Sequence, residues 1–257
     1  MIVAGSYSHR SSTSLLLNLG WRQAPEFAQK VKIMKSIAYD DSTTNAEIYD
    51  ADIPVTPQEA LVIGVYAAVD DAAGRELVQL RREEGVVPSC KRGCCICCGQ
   101  HIQTNIAEAH ALGQYIKRRF SARQISDLRR RTRQWLAWEV ARRGRPASAA
   151  PAHGPDLSGY DPCCPLLVDR ACSAYPVRPV ICRTHFVSSD PAACRSSHDH
   201  RPAAIAPVVL TSIIRSAGPF SKPLRADIEN AGLDFSRSIM LLPHWLALEM
   251  GWDAIVL

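Results

Sequence analysis

The stretch "CKRGCCICC", residues 90–98, places five cysteines in nine positions. A single cysteine is usually a small buried apolar residue. Five this close would pack a core badly and oxidise readily, so the stretch points to metal or cluster ligation. A second stretch, "CCPLLVDRACSAYPVRPVICR" (163–183), adds four more, and Cys194 completes a set of ten. The two groups are expected to form one site assembled from distant segments. Cys94 and Cys97 have the C-x2-C spacing that lets two sulfurs face one ion at about 2.3 Å. Adjacent cysteines differ, because in extended chain their side chains point to opposite sides. For Cys97 and Cys98, either a tight turn joins them, or they serve two centres, or one is a spectator. Cys94 with Cys95, and Cys163 with Cys164, pose the same choice.

Composition sets the surroundings of this site. An apolar fraction of 47% over 257 residues is ample for a buried core. The longest apolar run, "ALVIGVYAAV" (60–69), is about half of what crosses a bilayer, so no membrane span is expected. The first twenty residues lack a basic n-region and an A-x-A site, a poor match to a secretory signal. A cytoplasmic location follows as the expectation, and in a reducing compartment ten cysteines read as ligands or reactive thiols rather than disulfides. Charge is uneven: eleven basic residues between Lys117 and Arg145 face only Asp127 and Glu139, although the whole chain carries +5.

Periodicity predicts a mainly helical chain. Thr56, Pro57 and Glu59 form a capping box that opens a helix. Asp70, Asp71 and Gly74 suggest a break in it, after which Leu77, Val78 and Leu80 continue helically to Gly85. Asn105 with Glu108, and Ser121 with Gln124, predict two further helix starts. In the second of these, Ile125, Leu128, Trp135 and Trp138 or Glu139 share a face. "PLLVDRACSAY" reads as two short strands around an Asp169–Arg170 turn that lacks the usual glycine. "AIAPVVLTSIIRSAG" and "SRSIMLLPHWLALEMG" are predicted helices, "SSHDHRPA" a loop, "DADIPV" a short strand, and 144–160 a flexible connection.

The order C-x3-C-x2-C-C, then "CPLL", then a cysteine eight positions on, then "YPVRPVICR", resembles the YkgJ-type cysteine-cluster family. Its members are described as zinc- or iron-chelating, and flagellin lysine methylases carry a related module. The resemblance covers about 88–195. It implies Cys90, Cys94, Cys97, Cys98, Cys164, Cys172 and Cys182 as metal ligands, with Cys194 as an eighth, and leaves Cys95 and Cys163 outside the pattern. Eight thiolates suit two four-sulfur zinc sites, one iron-sulfur cluster with spare cysteines, or a shared binuclear centre, and ligand softness does not choose among them.

Other side chains are weighed against this centre. Lys91, Arg92, Arg178 and Arg183 flank the cysteines and read equally as surface cations or as groups that offset thiolate charge. His101 and His185 read as ordinary histidines before ligands. The Arg129–Arg133 run with Trp135 and Trp138 admits an acidic protein or nucleic-acid partner, although tryptophans at helical spacing are more often core. C-x3-C-x2-C is also the radical S-adenosylmethionine signature, but the arginine-rich helices that follow do not suit that fold. A cluster-dependent protein-modifying activity similar to that of the flagellin lysine methylases is the alternative, although the sequence offers no phosphate loop or catalytic set for it. The expected architecture is mainly α: helices around an irregular, metal-stabilised cysteine-rich centre with a short β-hairpin. It divides into an unassigned segment 1–55, a cysteine-cluster domain 56–201 and a helical segment 202–257 packing on it.

Overall fold

The computed structural model describes residues 55–91, 93–143, 162–196 and 206–252. The expected strand in "DADIPV", the connection 144–160, the "SSHDHRPA" loop and Arg92 lie wholly or largely outside the described residues. Helix α1 (Pro57–Glu83) is the hub. Its capping box closes as expected: Thr56 Oγ1 accepts from Glu59 N at 3.2 Å, and Thr56 N donates to Glu59 Oε2 at 2.9 Å. Val62, Val65, Tyr66, Val69, Ala73, Leu77 and Leu80 recur at helical spacing and form its buried stripe. The expected break does not occur. Asp70 pairs with Arg183 and Asp71 with Arg75, while Gly74 faces open space, so none of the three interrupts the backbone ladder. Gly85, at φ +65, turns the chain out of the helix while Val86 N reaches back to Leu80 O.

Strand β1 (Gln103–Thr104) leads into α2 (Ile106–Arg119), and α3 (Ala122–Arg143) follows. The Ser121–Gln124 capping box is present in both directions. On α3, Leu128, Thr132, Trp135, Leu136 and Glu139 are buried, a face close to the predicted one. The hairpin forms as expected, with β2 (Leu167–Val168) antiparallel to β3 (Ala171–Cys172). Asp169 and Arg170 take φ +48 and +64, the left-handed turn that normally recruits glycine. Short helices α4 (Val180–Thr184) and α5 (Pro191–Ser196) carry Cys182 and Cys194.

The C-terminal part differs from expectation. Only Thr211–Ala217 is helical in "AIAPVVLTSIIRSAG" (α6), while Val209 forms an antiparallel bridge with Val187. A further helix, α7 (Lys222–Asn230), had no sequence forecast. Strand β4 (Met240–Leu241) pairs with β1 and delivers α8 (Leu242–Glu249) against α2 and α3. Helices α2, α4, α6 and α7 all pack on α1 in one main core. No described helix is long and apolar enough to cross a membrane.

Candidate metal centre

The first cysteine segment leaves α1 and is pinned across the chain. Ser89 N donates to Val187 O at 2.8 Å, and Val187 N donates to Cys90 Sγ at 3.3 Å. Gly93, at φ +83, closes a turn in which Cys94 N donates to Lys91 O. A 3-10 turn, Ile96–Gly99, then presents Cys97 and Cys98, with Cys98 N donating to Cys95 O at 3.0 Å. The second segment docks on that turn, as Cys164 N donates to Cys98 O at 2.7 Å. Leu167 N closes back on Cys164 O, and the hairpin register sets Leu167 opposite Cys172. Helix α5 packs against the same 3-10 turn and brings Cys194 to it. The two groups therefore meet although about 65 residues separate Cys98 from Cys163 in sequence.

Of the cysteines implied by the resemblance, Cys90, Cys98, Cys164, Cys172, Cys182 and Cys194 all lie within electrostatic reach of Cys97, and Cys94 acts on Cys90 and Cys194. Burial pushes the Cys90 thiol up, the Val187 N–H offsets part of this, and Cys94, Cys97 and Cys194 add to the rise. Burial also raises Cys194, with Cys94 and Cys97 acting on it. Cys164 is pushed up to about 12 by burial, then by Cys172, Cys163 and Cys97. Burial raises Cys172, and raises Cys182 further, with Cys164, Cys172 and Cys97 adding to the latter. Cys97 moves the other way, to about 7, because Cys98 donates a hydrogen bond to its thiolate; Cys98 rises correspondingly. Crowded, half-buried thiols repel each other's charge, which opposes their ionisation together.

All ten cysteines are free thiols. Of the two outside the pattern, Cys163 is exposed beside Cys164, and Cys95 lends its carbonyl to the 3-10 turn. Among the described residues no three His, Cys, Asp or Glu side chains are gathered round one point as an ion requires. The thiols are neighbours, without a closed shell. As donors they suit a soft metal, and zinc and iron-sulfur clusters both draw on such a set.

Behind the cysteines lies a polar frame whose members would pass in sequence for caps, a helix break and charge compensation. Arg183 is 2% exposed; it stacks over the Tyr66 ring at 4.0 Å, pairs with Asp70 and donates to the carbonyls of Pro176 and Arg178. Glu108 caps α2 only in part. Its backbone N–H donates to Asn105 Oδ1, but its carboxylate accepts from Thr104 Oγ1, Asn105 Nδ2 and, at 2.7 Å, Val180 N. It thereby ties α2 to the start of α4 and hence to Cys182. Burial raises the Glu108 pKa against these donors. Tyr66 Oη faces this carboxylate outside hydrogen-bond geometry, and its own ionisation is pushed well up by burial and then by Glu108. A polar residue on an apolar stripe, Asp70 four places after Tyr66, was the available signal. Arg178 lies over Tyr175 at 3.8 Å and lowers Cys97, so both inner arginines offset thiolate charge. Lys91 is exposed.

Among the described residues neither His101 nor His185 joins the cysteines in an ion-holding group. His101 packs edge-on against Trp135 and Trp138, at 5.1 and 5.7 Å between centroids. Burial lowers the pKa of His185. Trp135 is 3% exposed and belongs to a small cluster with Leu136 and Ala247, so it offers no face for a base to stack on. Lys117, Arg119, Arg123, Arg130 and Arg133 are exposed, Arg118 pairs with Glu59, and Arg131 donates to Pro165 O beside Cys164. No family model, curated protein or solved structure matches the chain.

Proposed function

We propose that this chain is a metal-binding protein in which the two cysteine groups together hold zinc or an iron-sulfur cluster. The observation that carries this reading is the docking of the second cysteine segment on the first through the Cys164 N to Cys98 O bond, with eight free thiols around it. Disulfides would consume such thiols in pairs, and a plain core would not crowd groups whose ionisation is mutually penalised. A metal relieves that penalty, and by displacing protons its binding weakens as pH falls. The proposal agrees with what the resemblance to YkgJ-type proteins implies.

The test is to purify the full chain without oxygen and quantify zinc, iron and sulfide for wild type, Cys97→Ser and Cys172→Ser. Both variants are expected to carry less metal than wild type and to melt lower. Wild-type metal content in both would overturn the proposal.

A further inference from the structure

We propose that the end of α2 and the first half of α3 form a docking face for the phosphate backbone of double-helical nucleic acid. Its contacts are Lys117, Arg119, Arg123, Arg130 and Arg133, all exposed. The inference goes beyond the metal-binding reading and does not depend on it.

The fold sorts the cations of this region by depth. Arg129 and Arg131 are half-buried, with Arg131 turned inward to Pro165 O, and Arg118 pairs with the buried Glu59. Arg123, Arg130 and Arg133 instead recur at i, i+7 and i+10 on one side of α3, and only Phe120 and Ser121 separate Arg119 from that helix. The one acidic residue from Lys117 to Arg133, Asp127, meets Arg130 at 3.1 Å in an exposed pair, a weak contact that a phosphate can displace. Helix stability explains only part of this charge. Lys117 and Arg119 suit the negative end of α2, yet Arg123 stands in the first turn of α3, where the dipole is positive and no acidic residue offsets it. A cation kept there points to an anion outside the fold.

What surrounds the cations selects the partner. From Lys117 to Gln134 no large apolar side chain is exposed among the described residues, because Phe120 and Ile125 pack against the main core. A protein partner would need an apolar anchor. A single strand would need an aromatic ring to stack on, but Trp135 is buried and Trp138 packs on it and on His101. The phosphates of a duplex need neither, and the exposed Ser126 and Gln134 add the hydrogen-bonding groups that phosphate contacts use beside arginine.

The test titrates the full chain, as purified, against labelled DNA and RNA duplexes of mixed sequence by fluorescence anisotropy at several salt concentrations. Binding to either duplex is expected. Five phosphate contacts predict that log K falls against log salt on DNA with a slope of about −4.5, and the double variant Arg123→Gln/Arg130→Gln should bind more weakly with a slope of about −2.7. Arg81→Gln/Arg82→Gln removes the same charge from exposed positions at the end of α1 far from Glu59 and should change neither quantity. Equal weakening by the two double variants would reduce the effect to net charge and overturn the proposal. So would tighter binding to single-stranded DNA, binding to poly-L-glutamate but to neither duplex, or no binding at all. None of these outcomes bears on the metal content of the chain.

Discussion

Glu108 shows how one side chain holds the centre's framework. With its carboxylate removed, the Val180 N–H and the buried Thr104 hydroxyl lose their acceptor, and each such loss costs on the order of 1–3 kcal/mol. Glu108→Ala is therefore expected to lower stability by about 3 kcal/mol in urea denaturation, and Glu108→Gln, which keeps an acceptor, by less. An equal loss in both would assign the effect to charge. Glu59 supplies the pH dependence. Burial pushes its carboxyl up, but hydrogen bonds from Arg118 and Thr56 outweigh burial and leave it below the ordinary 4.5. The folded chain thus favours the ionised form. Its stabilisation is complete above pH 4.5 and is lost as pH falls through the lower folded value. Glu59→Gln should flatten the melting-temperature profile between about pH 5 and 3, and an unchanged profile would contradict this.

The hairpin and the helix pair α2 and α8 carry strain and closeness that can be tested. Arg170 occupies a left-handed conformation that costs a non-glycine residue about 1–2 kcal/mol, so Arg170→Gly is expected to stabilise the chain by about 1 kcal/mol. No gain in melting temperature would mean that the Arg170 side chain repays its backbone. Gly113 is the opposite case. Alanine normally improves a helix interior, yet a Cβ here would stand 2.9 Å from Glu249 Cβ. Gly113→Ala should destabilise by pushing α8 off α2, read as a lower urea midpoint. Elements of this kind were unevenly legible in the sequence. The caps at Thr56 and Ser121 and the Asp169–Arg170 turn are local patterns, and local patterns suffice to place them. The continuity of α1 through Asp70 was not legible, because it depends on Arg183 more than a hundred residues away. The short start of α6 depends likewise on the Val187–Val209 bridge.

For the molecule as a whole, the convergence of the cysteine groups could be expected from their number and order, but the way they converge could not. Nothing in "CKRGCCICC" announces that Cys98 O will receive Cys164 N, or that Val187 will hold Cys90. The Tyr66, Asp70, Glu108 and Arg183 frame is spread over three helices and leaves only the faint mark of polar residues on apolar faces. Helices α1, α2, α6 and α7 supply most of the main apolar core, whereas 88–103 and 162–196 are a hairpin, short helices and turns that add Leu166, Ala174 and Val177 to it. Metal removal should therefore loosen the second set selectively. Hydrogen exchange after chelation is expected to show faster exchange there and retained protection in α1. The most direct test of the account is metal and sulfide analysis of the anaerobically purified full chain, together with a count of thiols that react with a disulfide reagent before and after chelation. Bound zinc, or iron with sulfide, is expected, with eight thiols that become reactive only on chelation. A folded chain without metal, with all ten thiols reactive from the start, would contradict it.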